Sequence, residues 1–246
     1  MSKGDGTAYR EEVETLTFSL DNNLALNTMK TIQIILDFRR NRLSLSLMDI
    51  STTKRLSRAC NTTKDNSCSL TVDLDTVNKH LKLSEDHRNV TRVEEEQPYP
   101  DHPDRFYCLY QLLCTDSLTG RCYWEVEWSG RVDIAVSYRG IKRKGDSDNS
   151  WFGFNEKSWS LICSDDGYSV WHDHKTVQIP FSSSSPSVSD RVAVYVDYPA
   201  GILTFYRVSS DALIHLYTFN TTFTEPLYPG FGFEFRDHSR DAWCSF

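Results

Sequence analysis

Closely spaced cysteines are absent from this 246-residue chain, and that absence excludes the common zinc modules. A RING finger or zinc ribbon needs paired thiolates at short spacing to surround the metal, and no CxxC occurs here. The number of cysteines is odd, and they are Cys60, Cys68, Cys108, Cys114, Cys122, Cys163 and Cys244. The sequence therefore predicts buried or partly buried free thiols in a reducing compartment.

Long apolar runs and an N-terminal secretory signal are also missing. The most apolar stretch, Ile32–Phe38, is interrupted by Gln33 and Asp37. It is far shorter than the roughly 20 residues that a membrane-spanning helix needs. The first residues carry charged side chains where a signal peptide has its apolar segment. We therefore expect a cytoplasmic protein.

An excess of basic residues is lacking as well. The chain carries 27 Lys and Arg against 34 Asp and Glu, a formal net charge of −7. Residues 71–246 hold 17 of those cations and 26 of those anions, so this part alone carries −9. Nucleic-acid phosphates and anionic membranes both attract a basic protein face. We expect neither nucleic acid nor membrane among the partners.

Signatures of catalysis are not found either, since the chain has no GxSxG, no HExxH and no P-loop. Three clusters have side chains of the kind that hold metal ions: His172-x-His174, Asp165-Asp166 and Glu94-Glu95-Glu96. Each lies in a predicted turn or loop, where polar side chains ordinarily face solvent. The sequence thus predicts no enzyme, no catalytic residue, no metal site and no cofactor.

Aromatic residues, by contrast, make up 13% of the chain, and they favour strands over helices. From Cys122 onward, short apolar runs follow one another, most of them alternating with polar residues. Turn signals separate these runs, among them Asp165-Asp166-Gly167 and Pro199-Ala200-Gly201. Many short strands with no long helical pattern between them are typical of an all-β antiparallel sandwich or barrel.

The first 69 residues have a different pattern. Thr31–Ile50 alternates on both sides of Arg39-Arg40-Asn41, which predicts a β-hairpin, although its first half also fits one face of a helix. Ser51–Ser69 is polar and is interpreted as a linker. We therefore regard residues 1–69 as a short N-terminal extension of the all-β part.

Several segments, in the right order, resemble a PRY–SPRY domain. Val72–Asn78 and Leu81–Asp86 are similar to the PRY opening, where an LDP-type run precedes LSED. Trp124–Glu127 is similar to the WEVE strand, and Val196–Gly201 to the LDYE-type motif, with Pro199 where glutamate is usual. Phe223–Pro229 is similar to the F-T-x-P-L-x-P run. The resemblance divides the chain into a PRY segment at 70–121 and a SPRY segment at 122–246.

The resemblance covers 177 of the 246 residues and is strongest to fish versions of the domain. Such versions occur on tripartite-motif proteins, NOD-like receptors and stonustoxin-like proteins. It implies a jelly-roll, concanavalin-like β-sandwich that binds a protein partner through loops at one end. The implied function is non-catalytic recognition in innate immunity or ubiquitin-pathway targeting. The alternative that it implies is a fragment related to the fish pore-forming toxins, which would be secreted.

The resemblance also places the partner-binding surface in three loops: an acidic, proline-rich loop, segment 164–171, and segment 234–240. Aromatic residues and arginine anchor many protein interfaces. The candidate partner-binding residues are Tyr99, Asp101, Asp165, Tyr168, Trp171, Phe235 and Arg236. For Trp171 and Phe235, a position in the core is the competing interpretation. The recognisable motifs are predicted to serve the fold instead, and their residues are Trp124, Glu125, Val126, Glu127, Asp197 and Tyr198.

Overall fold

The computed structural model describes residues 66–145, 148–180, 191–209, 212–233 and 242–246. These residues form thirteen strands and no helix: β1 (Leu81–Leu83), β2 (Asn89–Arg92), β3 (Tyr110–Leu113), β4 (Arg121–Ser129), β5 (Val132–Tyr138), β6 (Ser158–Ser164), β7 (Gly167–His172), β8 (Lys175–Ile179), β9 (Arg191–Asp197), β10 (Ile202–Ser209), β11 (Ala212–Asn220), β12 (Leu227–Phe233) and β13 (Trp243–Ser245). Accordingly, no helix in this part of the chain is of a length and apolarity that would cross a membrane. The hairpin predicted at Thr31–Ile50 lies outside the described residues.

The strands form two antiparallel sheets. One has seven strands in the order β1-β2-β13-β4-β9-β10-β11, and the other has six in the order β3-β12-β5-β6-β7-β8. Five of the eleven neighbouring pairs of described strands join strands that are not consecutive in the chain, and β13 lies between β2 and β4. The predicted all-β antiparallel sandwich is confirmed.

The main core lies between the sheets, and β4 shows how the sequence builds it. Trp124, Val126 and Trp128 alternate along the strand and are 4%, 0% and 3% exposed. Successive residues of a strand point to opposite faces, so these three side chains enter the core together. Glu125 and Glu127 lie on the other face, where Glu125 forms an ion pair with Arg191. Trp124 and Val126 of this motif therefore build the core.

A smaller second core lies on the outer face of the six-stranded sheet. Leu113 and Ala135 point away from the main core because their strand neighbours Leu112 and Ile134 point into it. Phe106, Ile141 and Phe152 cover them and are at most 2% exposed. The two phenylalanine rings meet edge to face at 5.7 Å between centroids. This outer core holds the irregular segments 93–109, 139–145 and 148–157, which carry the candidate site.

The turn between β9 and β10 contains the Val196–Gly201 motif, whose residues stabilise the turn. Asp197 accepts a hydrogen bond from the Ala200 N–H at 3.2 Å and another from Arg121 Nε at 2.7 Å. Gly201 adopts a φ of +68°, and a Cβ there would lie 1.7 Å from the Thr221 carbonyl oxygen. Only glycine avoids both problems. Tyr198 stacks on Phe223 at 5.5 Å, so the motif serves the fold here too.

The cysteines require one correction. Cys108, Cys114, Cys163 and Cys244 are free thiols, as predicted. Cys68 and Cys122, however, are joined in a disulfide. The backbone brings them together because residues 66–68 lie along β4, with the Cys68 N–H donating to the Tyr123 carbonyl at 2.9 Å. No local sequence pattern predicts this pairing, because 54 residues separate the two cysteines.

Candidate functional site

The proline-rich segment 97–107 is held in shape by one buried cation. Arg105 is 6% exposed, and its guanidinium donates to the carbonyls of Pro100, Leu74 and Val77 at 2.5–3.1 Å. It also lies 5.3 Å from the centre of the Tyr99 ring. Prolines lack the N–H that could pair with nearby carbonyls, and this five-donor side chain instead joins the Pro100 carbonyl of the segment to the Leu74 and Val77 carbonyls outside it. Arg105 therefore organises the segment and is not free for a partner.

A second arginine joins this segment to the rest of the domain. Arg139 contacts Asp73 at 2.6 Å and Asp104 at 3.0 Å. Burial lowers its pKa, but the hydrogen bonds and charges of the two carboxylates outweigh that effect and leave the pKa raised. Arg143 lies over the Phe106 ring at 4.7 Å, where burial lowers its pKa to about 10. Both arginines stay charged at neutral pH.

These contacts leave an open groove of about 920 Å³ beside the segment. We call it the PRY groove. Its lining combines cations, imidazoles, carboxylates and rings, which are Lys79, Lys144, Arg105, His80, His102, Glu96, Asp101, Phe106 and Tyr107. Lys79 and Asp101 pair across it at 2.8 Å, and this hydrogen bond raises the pKa of Lys79 and lowers that of Asp101. The groove therefore offers both charge signs and an apolar floor to a bound segment.

Tyr107, at this groove, is the most exposed large hydrophobic residue in the described part of the chain. Its ring is 76% exposed although its backbone is fixed, because its N–H donates to the Arg143 carbonyl at 3.0 Å. The neighbouring Phe106 is buried in the outer core and holds the position further. A tyrosine that is rigid at the backbone and exposed at the ring is the kind of residue that anchors protein interfaces.

The structure divides the candidate residues of the first loop by role. Tyr99 is half-buried, and its hydroxyl donates to the Leu81 carbonyl at 2.9 Å. Burial raises the pKa of this hydroxyl. Asp101 is exposed and lines the PRY groove, so a partner could reach it. Of the two, only Asp101 has a side chain that presents itself to solvent.

The second candidate loop needs a correction. Tyr168 is 4% exposed and contacts Trp128 edge to face at 6.2 Å, so it belongs to the main core and does not present its ring to a partner. The reason is register, since Tyr168 is opposite Cys163, which also points inward. Asp165 is exposed in the turn between β6 and β7. Trp171 is half-buried on the outer face and stacks on Phe154 at 4.5 Å.

The third candidate loop lies outside the described residues, and with it Phe235 and Arg236. Among the described residues, no three His, Cys, Asp or Glu side chains gather in a way that would hold a metal ion. His172 and His174 have separate partners: the ring of His172 stacks on Trp159 at 4.5 Å, whereas His174 faces Asp148 at 3.6 Å.

Several residues of these surfaces were not predicted from the sequence, among them Tyr107, Lys144, Trp151 and Phe154. Tyr107 is part of Arg105–Tyr110, which contains several apolar residues and is not marked as a surface by any motif. Trp151 and Phe154 occur in Ser150–Asn155, a stretch between two predicted strands that had no assigned structure. Two large aromatic residues in a stretch without predicted strands were the sequence feature that could have indicated a surface site.

The irregular segments of this β-sandwich carry an open groove and an exposed tyrosine. These features are typical of domains that bind partners through their loops. Family comparison agrees, because residues 70–118 match the SPRY-associated domain, PRY, and residues 121–241 match the SPRY domain. The chain belongs to the PRY–SPRY family, whose domains are typically protein-interaction modules.

Similar proteins fall into two groups. The chain is 41% identical to stonustoxin subunit beta of Synanceia horrida over 165 residues, which is 67% of this chain and 23% of the toxin subunit. It is 38% identical to tripartite motif-containing protein 16 of Mus musculus over 168 residues, which is 67% of this chain and 29% of that protein. The chain therefore spans about a quarter of the length of the curated relatives it matches.

Among solved structures, the crystal structure of the TRIM65 PSpry domain is similar with a TM-score of 0.64 and 27% identity. The match covers 75% of this chain and 92% of that domain. The likeness to a whole isolated domain agrees with the extent of the sandwich described above.

Proposed function

We propose that this chain is a non-catalytic recognition domain that binds a protein partner through the PRY groove. The observation that carries the proposal is Tyr107, whose ring is 76% exposed at the edge of the groove on a backbone held at both sides. A preorganised aromatic residue loses little conformational freedom on binding. The groove's paired charges favour a partner segment that carries polar groups as well as an apolar anchor.

The setting we propose is cytoplasmic, in innate immunity or ubiquitin-pathway targeting. The relatives that support it are the tripartite-motif proteins, of which one is 38% identical over 168 residues. In that setting the domain selects a target, and another part of a tripartite-motif-like or NOD-like-receptor-like protein acts on it. The acidic charge of residues 71–246 agrees with a protein ligand rather than nucleic acid or membrane.

Affinity capture with groove variants tests the proposal. The full chain is immobilised and exposed to cytosolic extract, in parallel with Tyr107→Ala, Lys144→Glu and the control Val177→Ala. Val177 is 44% exposed on β8 and lies outside the groove lining, so its loss reports on non-specific apolar capture. We expect a partner whose recovery falls about tenfold or more with each groove variant, as for an interface anchor. Equal recovery by all four proteins would contradict the proposal.

A second candidate function follows from the other group of relatives. Toxin subunits from Synanceia horrida and Synanceia verrucosa are 39–41% identical over residues that make up 67–70% of this chain. Under this alternative the chain is a secreted fragment that takes part in a cytolytic assembly. Lysis of red cells by the purified chain supports the alternative, whereas inert behaviour at micromolar concentration together with groove-dependent capture supports recognition.

A further inference from the structure

Three aromatic side chains form a continuous stack on the outer face of the six-stranded sheet. Trp151 stacks on Phe154 at 5.0 Å between centroids and 26° between planes, and Phe154 stacks on Trp171 at 4.5 Å and 18°. All three are half-buried, so part of each ring meets solvent. We call these three residues the aromatic platform. It is separate from the PRY groove, whose lining contains none of them.

The segment that carries the platform is tightly constrained. Gly153 has a φ of +80°, and a Cβ there would lie 2.6 Å from the Trp171 Cβ, so only glycine lets the segment approach β7 this closely. Asn155 is 5% exposed and donates to the carbonyls of Asp148 and Trp151 at 3.1 and 2.7 Å. Its side-chain oxygen accepts from Lys157 N–H and the Ser158 hydroxyl. The rings are therefore held in place before any ligand arrives.

The neighbouring turn between β7 and β8 is strained. Asp173 and His174 both have positive φ, 50° and 59°, as in two-residue hairpin turns where asparagine or aspartate precedes glycine, so His174 occupies a position that glycine usually takes. The turn is anchored to the platform segment, since the Asp173 N–H donates to the Asn155 carbonyl at 3.2 Å and His174 faces Asp148. Backbone strain of this kind collects at functional sites. The turn and the platform segment are thus joined into one continuous surface.

The charge around the platform is negative. Segments 148–157 and 171–175, which carry the platform and its neighbouring turn, contain the three carboxylates of Asp148, Glu156 and Asp173 against two lysines. Asp148 is 60% exposed and Glu156 is also exposed. Of the two lysines, Lys157 donates to the Gly140 carbonyl at 3.2 Å, and Lys175 contacts Asp173 at 3.4 Å. A cationic group that meets the rings therefore finds carboxylates near it.

We propose that the aromatic platform binds an arginine side chain of a protein partner. A planar guanidinium stacks on the face of an indole ring better than an ammonium does, because it is flat, delocalised and weakly hydrated. The adjacent Asp148 carboxylate accepts hydrogen bonds from the same guanidinium. This site differs in chemistry from the PRY groove, which has Lys79 and Lys144 on its walls, so the two surfaces select different parts of a partner.

The test uses blocked Gly-Gly-X-Gly-Gly peptides in which X is arginine, citrulline or lysine. Citrulline keeps the shape of arginine and removes its charge. Binding to the full chain is followed by nuclear magnetic resonance of the indole N–H signals, with those of Trp151 and Trp171 assigned through single Trp→Phe variants. We expect the arginine peptide to move both signals and to bind about tenfold more tightly than citrulline, with lysine in between.

Variants make the test specific. Trp151→Ala should weaken arginine binding about tenfold, Trp151→Phe should largely preserve it, and Asp148→Asn should weaken it about threefold. Tyr107→Ala, in the PRY groove, should leave it unchanged. The signals of Trp124 and Trp128 report whether each variant still folds. Equal binding of arginine and citrulline, equal binding of arginine and lysine, or binding unaffected by Trp151→Ala would overturn the proposal, whatever the outcome for the groove.

Discussion

The backbones of strand β4 and of segment 97–107 are held in place by different interactions. In β4 every second side chain is apolar, and Trp124, Val126 and Trp128 enter the core side by side. Segment 97–107 has no such alternation, and one buried cation, Arg105, satisfies the carbonyls around it. The strand carries the most recognisable motif of the family and presents little to a partner. The segment has no motif and carries the exposed Tyr107. The recognisable motif thus builds the core, whereas the surface proposed for partner binding lies on the irregular segment.

The largest effect we expect comes from the strand. Trp124→Ala should lower the free energy of unfolding by about 3–5 kcal/mol, because it removes a large side chain from a closed core. Glu127→Ala, three positions along the strand on the exposed face, should change it by less than about 0.5 kcal/mol. Urea denaturation of the two variants measures the contrast. A Trp124→Ala protein as stable as the Glu127→Ala protein would show that the motif does not build the core.

The next effect concerns the irregular segment. Arg105→Met should lower the free energy of unfolding by about 2–4 kcal/mol, because several buried carbonyls lose their donor at once. Lys79→Met removes a cation of the same groove whose partner, Asp101, is 93% exposed. Lys79→Met should therefore lower the free energy of unfolding much less than Arg105→Met does. Denaturation midpoints compare the two, and a similar cost for both would mean that Arg105 does not organise the segment.

A smaller stability effect is expected at Tyr107, together with a large effect on binding. Tyr107→Ala removes a ring that is 76% exposed, so the free energy of unfolding should change by less than about 0.5 kcal/mol. Partner capture should nevertheless fall as described above. Thermal unfolding of the variant, measured beside the capture assay, separates the two quantities. A marked loss of stability would place Tyr107 with Trp124 rather than with the recognition surface.

The last prediction involves no change in stability. Burial raises the pKa of the thiols of Cys114, Cys163 and Cys244, so the reactive thiolate is scarce at neutral pH. Cys108 is only partly buried and lies in the irregular region just after Tyr107. Iodoacetamide added to the native protein at pH 8 should alkylate Cys108 well before the other three, as peptide mass spectrometry will record. Equal rates would indicate that the core opens as readily as the loop.

The candidate site was less accessible to sequence reasoning than the fold. Asp101 lies in the PRY groove as a solvent-facing residue, and Trp171 lies in the aromatic platform. Tyr168 was placed on the wrong side, because neighbouring residues of a strand face opposite ways and only the pairing with Cys163 sets which one is inside. Lys144 approaches the groove from a segment about forty residues away from Asp101 in the sequence, and no local pattern encodes that meeting.

Local alternation and turn signals by themselves determined strands β4 to β7 and β9 to β12, the antiparallel class of the fold and the glycine turn at Gly201, because these depend on residues within a few positions of one another. Tertiary structure alone decided the short strands β1, β2 and β13, the meeting of Cys68 with Cys122, the groove beside Tyr107 and the stack of Trp151, Phe154 and Trp171. Each of these joins segments that are separated in the chain. Their contacts exist only once the two sheets have closed, since burial and hydrogen bonding at these places are shared between distant residues.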